Sequence, residues 1–111
     1  QVVYGPVGRT PRMIWLVADK ETSRRLGAIK VFLERALAGR NIRFEQEHRQ
    51  FTAHLTLARF TAVIRESLPA LDRPFSAQFE AKALDLMESH LRNSGSEYES
   101  LSSFDFEGEN E

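Results

Sequence analysis

A chain of 111 residues, 41% hydrophobic and 28% charged, has the length and composition of one soluble domain with a packed core and is too short for two. It contains no cysteine, which excludes disulfides and thiolate metal sites and fits a reducing compartment such as the cytoplasm. No apolar run reaches the roughly 20 residues of a membrane helix, so no membrane partner is expected.

The net charge of −1 conceals a division. Residues 1–65 hold 12 Lys and Arg against 5 Asp and Glu, while residues 66–111 hold 3 against 11. A basic segment attracts phosphates, or it pairs with the acidic segment inside one fold; composition leaves both open. The chain begins at Gln1 with no signal-peptide pattern, and the expectation is a piece of a longer product.

Taken in chain order, Val2–Tyr4 reads as a strand end broken by Gly5-Pro6. Arg12–Ala18 (RMIWLVA) is an apolar run rich in β-formers and predicts a buried strand, with Trp15 in the core. Asp19 is a helix cap, and Leu26, Ile29, Leu33, Ala36 and Leu37 recur at helical spacing. They predict an amphipathic helix of about 18 residues that ends at Gly39 as C-cap. Arg24, Arg25, Lys30, Glu34 and Arg35 fall mainly outside its apolar stripe.

Ile42–Glu47 alternates like a short edge strand, and Phe51–Phe60 is the next strand. Ala62–Leu68 predicts a short helix stopped by Pro69. Phe75–Leu84 alternates apolar and polar residues like a half-buried strand, extendable through Leu86 and Met87. Ser94-Gly95 marks a turn and Tyr98–Phe106 a last strand, followed by a mobile acidic tail from Glu107 to Glu111. The fold class is α+β: one domain over 1–111, a mostly antiparallel sheet packed by one long amphipathic helix and a short helix.

The stretch FTAHLTLARF, residues 51–60, carries the chemistry. Strand alternation places Phe51, Ala53, Leu55 and Leu57 on one face, the core side. Thr52, His54, Thr56, Ala58 and Phe60 take the other. His54 and Thr56 then project together, about 7 Å apart along the strand. An imidazole there suits general acid or base work near neutral pH. The neighbouring hydroxyl suits a phosphoryl oxygen. Arg59 has the opposite parity from His54, and only a bulge or the strand's end would turn it back. The plainer reading makes His-x-Thr an ordinary exposed strand pair, or a histidine packed in the core.

With its surroundings, the stretch FTAHLTLAR resembles the second signature of the RNA 2′,3′-cyclic phosphodiesterases, also called 2′-5′ RNA ligases, of the 2H phosphoesterase superfamily. PRMIWLVA is similar to the family strand that leads into the long helix. Ser89, Leu91, Gly95 and Tyr98 match the closing strand, turn and final strand. Ala53 stands where the family has proline. Family members carry two His-x-Thr motifs on two lobes, and this chain has one: His48 and His90 are followed by other residues.

The resemblance implies one lobe of a bilobal fold and a site without metal, ATP or other cofactor. Its substrate would be RNA ending in a 2′,3′-cyclic phosphate, opened to a 2′-phosphate, or RNA with a 2′-5′ linkage made in reverse. His54 and Thr56 would be its catalytic residues and Arg59 a weaker substrate-binding candidate. The second motif would come from a missing N-terminal lobe, a partner chain or a second copy, and the chain alone would be severely impaired. A nucleotide-binding module that keeps the pocket without the chemistry is the alternative. Arg24 and Arg25 are expected on the solvated helix face, His90 exposed past a strand end, and Tyr98 as a packing residue.

Overall fold

The computed structural model describes residues 1–61, 67–71 and 73–107. They form β1 (Val2–Gly5), β2 (Met13–Val17), α1 (Lys20–Gly39), β3 (His54–Arg59), β4 (Ala83–Arg92) and β5 (Gly95–Asp105). The class is α+β with antiparallel pairing throughout. The chain divides into two compact units, Gln1–Ser76 and Ala77–Glu111. The long helix is present. The predicted short helix at Ala62–Leu68 lies mostly on residues 62–66, outside the described residues, as do 108–111 of the acidic tail.

The first unit is built around β2, which lies between β1 and β3. Its sequence MIWLV is apolar at every position because both faces are used, and all five residues are half-buried. Backbone bonds extend the pairing at both ends: Val17 N donates to Gln1 O (2.7 Å), Ala18 N to Ala53 O (2.9 Å) and Phe60 N to Arg12 O (2.8 Å).

Helix α1 follows β2 at once because Asp19 supplies the cap. Its backbone is extended (φ −66°, ψ 168°), and its carboxylate accepts from Thr22 N at 2.7 Å. Leu26, Ile29, Leu33, Ala36 and Leu37 form the stripe that the spacing predicts. Ile29, Ala36 and Leu37 are half-buried, and Leu26 and Leu33 lie just beyond. Lys30 and Glu34 are half-buried as well, as an i,i+4 ion pair at 2.7 Å. The helix reaches the approach to β3 through small residues. Ser23 Oγ accepts from Ala53 N at 3.1 Å, and a Cβ on Gly27 would stand 3.4 Å from the Phe51 ring. Ala53 is the one buried hydrophobic side chain among the described residues.

The helix end differs from expectation. Gly39 is its last residue and Arg40 the cap, and the left-handed position falls on Asn41 (φ 56°). Asparagine tolerates that region through its short polar side chain.

One predicted strand is absent, and the one expected over Phe75–Leu84, extendable through Met87, begins only at Ala83. Ile42–Glu47 has no regular structure and neither does Phe75–Lys82. Both alternate in sequence, but among the described residues neither has a strand to pair with, and alternation without a partner closes no ladder. The second unit is a long hairpin that starts at Ala83. β4 and β5 meet at Asn93-Ser94, with Gly95 at φ 123°, so the turn sits one residue earlier than Ser94-Gly95.

Both caps of α1 can be tested. Asp19 has its pKa lowered from the ordinary 3.8 by hydrogen bonding from Thr22, side chain first and then backbone. A lowered folded-state pKa stabilises above the unfolded value and is lost as pH falls through the folded one. Asp19→Ala is therefore expected to lower the melting temperature at neutral pH, with a gap to wild type that closes as pH drops below 3.8. At the other end, Asn41→Val should cost about 1–2 kcal/mol and Asn41→Gly nothing, measured by urea unfolding. Equal stability of the two would show that the left-handed residue carries no constraint.

Candidate active site

The position of β3 side chains is decided by its register against β2. Val17 pairs with His54, Leu16 with Leu55 and Trp15 with Thr56; the register then shifts, and Ile14 pairs with Ala58 and Met13 with Arg59. Leu57 is the extra residue, a β-bulge. Since β2 keeps its alternation, Met13, Trp15 and Val17 share a face, and their partners Arg59, Thr56 and His54 share it too. The bulge corrects the parity expected from sequence: it turns Arg59 onto the face of His54 and Thr56. It also moves Ala58 and Phe60 to the opposite face, where the Phe60 ring meets Tyr4 with centroids 6.3 Å apart.

His54, Thr56 and Arg59 are all exposed. This excludes a histidine packed in a hydrocarbon core. Leu55 and Leu57, expected on the core side, are 58% and 55% exposed, so the side is open at these positions between Ala53 and Phe60.

The His54 ring is held on two sides. Nδ1 lies 2.9 Å from Thr52 O. A carbonyl only accepts, so Nδ1 carries the proton in the neutral ring and the lone pair sits on Nε2. One face of the ring stacks on the Trp15 indole, with centroids 3.8 Å apart and planes 16° from parallel. Trp15, expected as core, is half-buried and serves as the floor beneath the imidazole. Its Nε1 is buried with no hydrogen-bond partner among the described residues, an arrangement that costs roughly 1–3 kcal/mol. The indole fits because position 5 is glycine: a Cβ there would fall 2.4 Å from Trp15 Cδ2.

The face thus presents a ring nitrogen with a free lone pair, a hydroxyl and a guanidinium. The other strand residues that the register puts there are Val3, Gly5, Met13, Trp15 and Val17, none of them a carboxylate. Such a surface suits an anion: the arginine offers paired N–H donors, the threonine one O–H and the histidine a proton acceptor or, once charged, a donor. Sequence reasoning missed Trp15 as part of the site, since a tryptophan in an apolar run reads as core, and it left Arg59 dependent on a bulge that no residue type announces.

Elsewhere among the described residues, one group of side chains could hold a metal. Glu88, His90 and Glu99 of the hairpin have their ligand atoms within 4.8 Å of one another. His90, expected past a strand end, lies within β4, with Nε2 3.6 Å from Glu88 and 3.7 Å from Glu99. Glu88 and Glu99 are cross-strand partners, so the imidazole stands between like charges. A pocket in the same unit is lined by Glu80, Ala81, Lys82, Asp105, Phe106 and Glu107 and contains none of the candidate residues. Tyr98, expected to pack, is 61% exposed.

The family model described as LigT like Phosphoesterase matches residues 17–98. That span takes in the end of β2, all of α1 and β3, and most of the hairpin. No curated protein and no solved structure gives a significant match. A match over that much of the chain, with an antiparallel α+β architecture, makes this protein a member of the LigT-like phosphoesterases of the 2H phosphoesterase family.

Proposed function

We propose that the chain carries one half-site of a phosphodiesterase that opens 2′,3′-cyclic phosphate ends of RNA to 2′-phosphates, with 2′-5′ joining as the reverse. The observation that carries this reading is the shared face of His54, Thr56 and Arg59 in a phosphoesterase-family strand.

In the hydrolytic direction water attacks phosphorus and the bond from phosphorus to O3′ breaks. The proton of the water must leave and the 3′ oxygen must gain one. His54 performs one of these transfers through Nε2, the nitrogen left free by the bond to Thr52. Thr56 donates to a non-bridging oxygen, whose charge grows in the transition state. Arg59 pairs with the phosphate and raises its local concentration. The other proton transfer needs a second base or acid. Under this reading a further His-x-Thr segment supplies it, from an N-terminal lobe, a partner chain or a second copy.

The presence of a single His-x-Thr in the sequence favours a second reading, a module that binds nucleotide ends without turning them over. Turnover of a 2′,3′-cyclic nucleotide, alongside calorimetry with a nucleoside monophosphate, separates the two.

For the catalytic reading, His54→Ala in the protein carrying this sequence should lower kcat by about 100-fold or more. Thr56→Ala should lower kcat, and Arg59→Ala should act mainly through KM. Binding of the monophosphate with no turnover in wild type would establish the module instead. Wild-type turnover in His54→Ala would end the assignment.

A further inference from the structure

The stacked pair of Trp15 and His54 asks what the indole does. As a packing residue it is poorly chosen: its Nε1 is buried and unpartnered among the described residues, and phenylalanine would fill an apolar site without that penalty. Position 5 has no side chain, and any side chain there would displace the ring. What the indole gains is an almost parallel contact at 3.8 Å with an exposed imidazole. An exposed histidine on a strand samples several rotamers. Here the hydrogen bond to Thr52 fixes one nitrogen, and the indole fixes the plane in which the other points.

We propose that Trp15 is a positioning residue: its indole, seated over Gly5, holds the His54 ring so that Nε2 stays aimed along the face shared with Thr56 and Arg59. This rests on the phosphoesterase reading above. The effect is one of orientation, since a misplacement of about 1 Å in a reacting group costs on the order of 100-fold in rate.

The substrate is identical in all variants, so positioning separates from binding. Trp15→Leu removes the stacking surface. Gly5→Ala leaves both rings chemically intact but pushes a Cβ into the indole. Trp15→Phe keeps an aromatic floor. In turnover of a 2′,3′-cyclic nucleotide, Trp15→Leu and Gly5→Ala should each lose about 10-fold or more in kcat, with KM within about twofold of wild type, and Trp15→Phe should recover most of the loss. In NMR spectra the His54 ring protons should lose the upfield shift imposed by the indole in Trp15→Leu, keep a smaller one in Trp15→Phe, and move in Gly5→Ala.

Should Trp15→Leu fail to fold, the contrast between Gly5→Ala and Trp15→Phe decides the same question. A folded Trp15→Leu or Gly5→Ala with wild-type kcat, while His54→Ala is inactive, overturns the positioning role and leaves the phosphoesterase reading standing. Wild-type turnover in His54→Ala overturns both.

Discussion

The site depends on a single extra residue. Leu57 is accommodated in β3 with no counterpart in β2, and everything after it changes face. Without the bulge, a regular strand would present His54 and Thr56 on one side and Arg59 on the other, and the guanidinium could not share an anion with the hydroxyl. A bulge also raises local twist and leaves one residue unpaired; Leu57 is 55% exposed, much as Leu55 before it is 58% exposed. The geometry that gathers three polar groups therefore stands beside an apolar side chain left in solvent.

The central strand contributes in two ways. Its pairing with β1 and β3 fixes the register on both sides, and its apolar character on both faces brings Trp15 to the surface where His54 projects. Gly5 in β1 completes the arrangement by offering no side chain where the indole lies. Three neighbouring strands thus each supply one component: an open floor, a flat ring and an imidazole. A site on paired strands holds its groups through backbone hydrogen bonds. That is a firmer basis for orientation than a loop, whose backbone has fewer such constraints.

What the sequence made legible follows how local each determinant is. Helix α1 was readable because the Asp19 cap and the 3.6-residue apolar spacing are local signals, lying in the segment or next to it. Even there the left-handed residue went to Asn41 and not Gly39, since the helix ran one residue further before closing. The antiparallel hairpin was readable in part from Gly95 and its flanking alternation. Phe75–Lys82 shows the limit: its pattern is that of a half-buried strand, yet Phe75 and Phe79 are exposed, and among the described residues its one cross-chain backbone bond is at its end, where Phe106 N donates to Lys82 O at 2.8 Å. Strand formation depends on a partner distant in sequence, and alternation does not say whether one exists. The same reason explains Arg59. Its parity could be read, but the bulge that reverses it is a property of two strands together.

Composition left open whether the basic excess of residues 1–65 meets phosphate or the chain's own acids. The ion pairs bear on this. Arg24 pairs with Glu21, Lys30 with Glu34, Arg49 with Glu47 and Arg92 with Glu97, each within five residues of its partner. Such pairs remove equal numbers of both signs and leave an excess untouched. Arg59 belongs to none of the ion pairs among the described residues, and it lies exposed on a face whose paired strand residues include no carboxylate. A cation so placed gains little from water-screened neighbours at a distance and most from an anion brought into direct contact. Under the phosphoesterase reading proposed above, the basic excess of residues 1–65 and the bulge of β3 would serve the same chemistry: a phosphate taken up by Arg59 and Thr56, within reach of the nitrogen that Thr52 leaves free.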